Sequence, residues 1–360
     1  MVLKRTFSAV LCAILAFALC FAALPKGARA DESYTMDFTS VNAETWAGGV
    51  VPATTNASGT GWSWNASGKT LTLDGLHFTT SAATAMILPS GTTIVLNSGK
   101  ANSVTSTYSG SATDNERSYG ILCNSGAITV SGSGSLTATG GSGSANLEGS
   151  CGIEASGITL SGSASLTGIG GSTNDESYGV FLSDGASVIK DSASLTCRGG
   201  SAGTDSYGIC CAPYSSATIT VQDNGRLHSV AGDAGENSVG VLYVDEGALN
   251  LKGGTLIAKA GTGSGVYSVG ALYAAPSLAD YASYRWRTNA SGSYTNSSVA
   301  PFVYQQNAFR YVEIGPIPAP AAAKAAVPKT GDDAPTALLL GLALFAVAGL
   351  ALRRKARREQ

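Results

Sequence analysis

Charge is scarce in this chain. Only 13% of its 360 residues are Asp, Glu, Lys or Arg, and it holds just two histidines, His77 and His228, far apart in sequence. With so few ionisable groups, a converging catalytic set has little to be built from. Seven cysteines are present, but none of their spacings, Cys210-Cys211 included, is that of a metal site. Residues 31–330 hold 13 Lys plus Arg against 21 Asp plus Glu, a net charge of −8, which is the wrong sign for a nucleic-acid partner. The near-neutral total comes from basic residues at the two ends. Helical spacing is absent from the middle of the chain as well, which excludes a helical bundle there. Low charge together with 46 glycines would suit a disordered chain, except that a regular aliphatic ladder runs through it.

That ladder is organised around Ser118-Tyr119-Gly120, which returns as Ser150-Cys151-Gly152, Ser177-Tyr178-Gly179, Ser206-Tyr207-Gly208, Ser238-Val239-Gly240 and Ser268-Val269-Gly270. The glycines are separated by 32, 27, 29, 32 and 30 residues, the period of stacked supersecondary units. An aliphatic residue follows each glycine: Ile121, Ile153, Val180, Ile209, Val241 and Ala271. A second alternating run comes next, as in Ile128-Thr129-Val130, Ile158-Thr159-Leu160, Ile219-Thr220-Val221 and Leu249-Asn250-Leu251, and a third begins at Leu136, Leu166, Leu195, Leu227 and Leu256. Period-2 alternation between Gly and Ser corners is the mark of half-buried strands. Three short strands per unit predict an all-β fold, a right-handed parallel β-helix whose coils stack at about 4.8 Å with the aliphatic columns inside.

Both ends carry addresses. Lys4 and Arg5, an apolar run from Val10 to Leu24 and the small-x-small site Ala28-Arg29-Ala30 read as a signal peptide. At the other end come Val327, Pro328, Lys329, Thr330 and Gly331, then an apolar run from Ala334 to Leu352 long enough to span a bilayer. Five cations follow: Arg353, Arg354, Lys355, Arg357 and Arg358. In residues 327–360 the chain resembles Gram-positive wall proteins anchored by sortase, whose signal is Leu-Pro-x-Thr-Gly, an apolar span and a positive tail. Val327 stands where that family has Leu. The resemblance implies sortase as a partner, covalent attachment to peptidoglycan through Thr330, and display at the cell wall.

Between the ends, the early runs Leu71-Thr72-Leu73, Met86-Ile87-Leu88 and Ile94-Val95-Leu96 predict irregular first coils. The stretch 64–76, with the Gly-Ser-Gly-Ser-Leu-Thr segment at 132–137, resembles the β-helical carbohydrate-binding modules of bacterial surface proteins, relatives in shape of pectin-lyase folds. Trp46 and Trp62 precede it and Trp64 opens it, either as a sugar-stacking platform or as a cover for the first coil. The expected order is therefore signal peptide 1–30 (a helix), N-terminal cap 31–67, β-helix 68–275, C-terminal β cap 276–314, Pro/Ala linker 315–326 and sorting signal 327–360 with a transmembrane helix at 334–352.

Three sets of residues are candidates for chemistry. Arg285, Trp286 and Arg287 in the cap offer a ring and two cations for an anionic sugar. Asp114, Glu116, Asp175, Glu176, Asp205, Asp233 and Glu236 precede the Ser-x-Gly phrase, so stacking brings them to one edge, either as a Ca²⁺ site or as solvated turns. Asp191 and Asp223, with Arg226 nearby, occupy equivalent corners and make the best enzyme candidate. Five cysteines remain after residue 30: Cys123, Cys151, Cys197, Cys210 and Cys211. Cys123 and Cys211 hold one position three coils apart, about 14 Å, too far for a disulfide. The expected function is a wall-anchored adhesin or carbohydrate-binding protein without catalytic residues. A polysaccharide lyase or hydrolase, or a ligand-free spacer, are the alternatives.

Overall fold

The computed structural model describes residues 34–39, 54–110, 116–123, 126–143, 147–213, 215–242, 249–262, 268–273, 275–279, 283–297, 300, 303 and 309–318. These form a parallel β-solenoid of about six turns. One sheet of eight strands carries the Ser-x-Gly phrases, running from Met36–Asp37 through Glu116–Leu122, Leu147–Ala155, Glu176–Leu182 and Asp205–Cys211 to Ser268–Leu272. The second sheet holds Ile128–Gly132, Ile158–Leu160, Ala186–Ile189, Thr218–Gln222 and Leu249–Lys252 in parallel register. In the third, Ser135–Thr139, Ser165–Ile169, Ser194–Arg198, Arg226–Val230 and Thr255–Lys259 stack without a slip. Among the described residues no helix is long and apolar enough to cross a membrane, and the expected segments 1–30 and 334–352 lie outside them.

The aliphatic columns line the interior as their alternation requires. Ile121, Ile153, Val180, Ile209 and Val241 are in register and fully buried, and so are Leu136, Leu166, Leu195, Leu227 and Leu256. Each such side chain contributes roughly 1.5–3 kcal/mol relative to exposure. The last phrase departs from the expected alignment. Ser268 faces Asn237 and Leu272 faces Val241, so Leu272 and not Ala271 continues the column.

Polar members of the interior are paired. Ser177 Oγ accepts the Gly200 N–H at 2.8 Å and donates to the Gly171 carbonyl at 2.8 Å. Ser206 and Ser238 repeat this one coil and two coils on. The phrase thus supplies a ladder of buried hydroxyls that satisfies the backbone of the corner between the third and first sheets. Its glycine is demanded by close approach. A Cβ on Gly179 would lie 2.3 Å from the Arg198 nitrogen and 2.5 Å from the Gly208 carbonyl oxygen, with similar distances at Gly152 and Gly208.

Antiparallel strands close both ends. Trp62–Asn65 pairs with Thr70–Leu73, and Trp62 and Trp64 are buried against Phe38 at 5.6 and 5.1 Å between ring centroids. These two tryptophans therefore cover the first coil from within; Trp46 lies outside the described residues. At the far end Tyr311–Pro316 runs antiparallel to Thr255–Lys259, and Tyr284–Arg287 runs antiparallel to Tyr311–Pro316. Replacing a parallel neighbour by an antiparallel one ends the stack and covers its edge.

Candidate functional site

Outside the coils, the three sheets differ. Outward positions of the third sheet are Ser135, Thr137, Thr139, Thr167 and Thr196 in its early coils, with Ile169, Arg198, His228, Val230, Ile257 and Lys259 continuing the same columns. The second sheet presents Thr129, Thr159, Val188, Thr220 and Asn250. The first sheet instead presents two adjoining columns, Tyr119, Cys151, Tyr178, Tyr207, Val239 and Leu122, Glu154, Phe181, Cys210, Leu242. Most of these form an apolar cluster separate from the interior core, with Tyr273 packed against it. The Tyr178 and Tyr207 rings stack at 5.4 Å, and Phe181 meets Tyr178 edge-on at 5.2 Å. Tyr119, Phe181, Leu242 and Tyr273 keep part of their surface open.

Charged groups frame this face. Arg117 Nη2 donates to Glu176 Oε2 at 2.6 Å although a whole coil lies between their strands. The intervening residue is Gly149, where a Cβ would sit 2.9 Å from Arg117 Cγ, so its bare backbone leaves the crossing open. Glu154 lies half-buried between Leu122 and Phe181. Burial lifts its carboxyl above the usual carboxylate range, and the Arg117 charge opposes that only in part. Burial, then Glu154, pushes the Tyr119 hydroxyl up to about 12. Burial likewise drives Tyr178 and Tyr207 far above an ordinary phenol. The arrangement can stack flat rings, accept or donate hydrogen bonds through Glu154 and Tyr119, and balance one further positive charge.

The cap residues are divided by strand alternation. Trp286 packs on the core and sits opposite Ile314, so it does not share a surface with its neighbours. Arg285 lies 4.0 Å over the Tyr294 ring, with Arg287 at 4.7 Å. Arg287 is bound to Glu313 at 2.6 Å, and that carboxylate also accepts from Tyr294 and Tyr311. Burial pulls Glu313 up, yet the hydrogen bonds from Tyr294, Tyr311 and Arg287 outweigh it and hold the group below its usual value. The cluster is largely satisfied from within.

Of the acidic corner, Asp114 lies outside the described residues, and Glu116 is placed by its backbone alone, opposite Leu147. Glu176, Asp205 and Asn237 form one column, so stacking does align them. Asp205 accepts from the Asn237 side chain at 2.7 Å and from the Tyr207 hydroxyl at 2.8 Å. Asp233 accepts the Thr262 N–H at 2.7 Å; Glu236 is exposed and Asp175 half-buried. Among the described residues no group of three or more His, Cys, Asp or Glu is arranged to hold a metal ion.

Asp191 and Asp223 do stack, in a corner whose residues have positive φ: Gly162 at 72°, Asp191 at 59°, Asp223 at 56° and Gly253 at 99°. Asp tolerates this left-handed region better than most side chains. Asp191 Oδ2 accepts the Gly162 N–H at 2.9 Å, and Asp223 Oδ2 accepts the Asp191 N–H at 3.3 Å. The pair thus staples successive turns, with Arg226 exposed on the third sheet. The five cysteines are buried thiols that form no disulfide among the described residues. Cys123, Cys197 and Cys211 lie in the interior core, whereas Cys151 and Cys210 lie in the outer cluster, so not all are inside the coils. Burial pushes the Cys211 thiol up to about 12 and raises those of Cys151, Cys197 and Cys210 as well, which leaves them poor nucleophiles.

Val327 to Gly331 lie outside the described residues. What sequence reasoning missed is the outer face of the first sheet. Its signal was the x of Ser-x-Gly, which is Tyr in three copies and never Ser or Thr. No family model, no curated protein and no solved structure matches this chain.

Proposed function

We propose that the mature chain is a wall-anchored, right-handed parallel β-helix that binds glycans or host surface polymers through the outer face of its first sheet. The observation that carries this reading is the aromatic cluster on that face, whose partly open rings Tyr119 and Phe181 rest on the buried Tyr178 and Tyr207 and are set among Arg117, Glu154 and Glu176; the other two faces carry no aromatic column among the described residues of the coils. Aromatic rings beside hydrogen-bonding charged groups suit a ligand with flat apolar faces and many hydroxyls. Repetition over successive coils lets weak contacts add along a polymer. A glycan array probed with residues 31–326 tests it. Binding of at least one polysaccharide, without release of reducing ends or unsaturated products, is expected; release of either would make the protein an enzyme.

The address rests on the ordered signal peptide, sorting motif, apolar span and basic tail. Thr330→Ala should shift the protein from purified wall to membrane or medium, and an unchanged amount in the wall would contradict anchoring there. Ca²⁺ at the acidic corner is proposed on the column of Glu176 and Asp205. A ligand of the folded state alone raises the melting temperature. No shift in millimolar Ca²⁺ would leave these groups as turn and ion-pair residues.

A further inference from the structure

Glu154 differs from Glu176 and Asp205, the other acids beside the aromatic cluster. Glu176 has Arg117, and Asp205 has Asn237 and Tyr207. Glu154 is half-buried in a column with Leu122 and Phe181, and its carboxyl makes no hydrogen bond or ion pair among the described residues. The charge of Arg117 reaches it, but that guanidinium is bound to Glu176, so the three groups together leave one negative charge on an aromatic face. The neighbouring ionisable groups are Arg117, Tyr119 and Cys151.

We propose that Glu154, with the open rings of Tyr119 and Phe181, forms a subsite for a protonated amine, so that the preferred ligand is a polysaccharide bearing free amino groups. This rests on the glycan reading above and names the ligand class. Aromatic faces and a carboxylate both attract a cation, and the attraction grows as water is excluded. An uncharged sugar laid on this face would leave Glu154 buried without a counter-charge, and an anionic sugar would add a like charge, both costly. The carboxyl held above its usual range is the mark of a group short of such a partner.

The test uses the full-length chain in detergent with three probes: a glucosamine oligomer, its fully N-acetylated counterpart and a neutral glucan. At pH 7 and low salt the glucosamine oligomer should bind about tenfold tighter than the acetylated one, the size expected of one charge-assisted contact. Glu154→Gln should abolish that preference while leaving the melting temperature undiminished. Equal affinity of the two oligomers in the unaltered protein would overturn the subsite whatever the variant does. A preference that survives Glu154→Gln would place the amine elsewhere and overturn it as well. Failure of all three probes, and of every other polysaccharide, would overturn the glycan reading and the subsite with it.

Discussion

The outer faces of the first and third sheets belong to the same coils, share the same strand spacing and cover the same core, yet their surfaces differ sharply. Along the third sheet Thr137, Thr167 and Thr196 stack in register and meet water. Along the first, the outward column Cys151, Tyr178, Tyr207, Val239 is as buried as many core residues, with Val239 at 1% exposure and Tyr178 at 7%. Three coils of the third sheet manage with threonine at that position before His228 and Ile257 take it. The aromatic column is thus a second apolar layer laid on this face, and its partly open members, Tyr119, Phe181, Leu242 and Tyr273, are the ones the proposed ligand would meet.

Substitution measures the difference. Tyr178→Ala removes a ring packed on Tyr207 and Phe181 and should cost about 3 kcal/mol, whereas Thr167→Ala should cost about 0.5 kcal/mol or less. Urea melts of the two variants check this, and equal costs would erase the distinction between faces. On the same strand as Tyr178 but pointing inward, Ser177→Ala leaves the half-buried Gly200 N–H without its acceptor and removes the donor to the Gly171 carbonyl. A loss of about 2 kcal/mol is expected. A melt indistinguishable from the unaltered protein would mean the serine ladder is dispensable.

Acid titration should separate the apolar face from the corners, because the shifts have opposite signs. Backbone and side-chain hydrogen bonds from Ser216 hold Asp184 below the ordinary carboxylate range, and those from Thr262 do the same for Asp233. Their folded values lie below the unfolded value of about 3.9, so their contribution is present above that pH and is lost as pH falls through the folded values. Burial raises Glu154 instead. Its contribution therefore grows as pH falls through its folded value and levels off below about 4.3, the unfolded value. Melting temperature against pH should rise slightly on mild acidification and then fall. Glu154→Gln should remove the rise, and Asp184→Asn with Asp233→Asn should soften the fall; a rise that persists in Glu154→Gln would show that another group causes it.

Much of the fold was legible because period-2 alternation repeats itself: Leu136, Leu166, Leu195, Leu227 and Leu256 announce one column without any structure. The last phrase misled because Ser268-Val269-Gly270 looks like its predecessors while the backbone pairs it one residue out of step. The roles of Asp191 and Asp223 were hidden because a left-handed backbone is not written in the chemistry of an aspartate. The grouping of Arg285, Trp286 and Arg287 failed for a simpler reason. Neighbours in a strand point to opposite sides, and Trp286 took the inner one. The outer face went unread because an aromatic inside a repeated phrase looks like core until the register shows that Ser177 faces in and Tyr178 out.

The central claim is that ligand binding belongs to the first sheet's outer face and to no other. Its most direct measurement compares polysaccharide binding by Tyr119→Ala/Phe181→Ala with that by Thr137→Ala/Thr167→Ala, each double variant first shown to melt cooperatively. The first pair should lose at least about tenfold in affinity, the worth of one stacking contact, while the second binds as the unaltered protein does. Equal losses in both, or full binding by the first pair, would contradict the account.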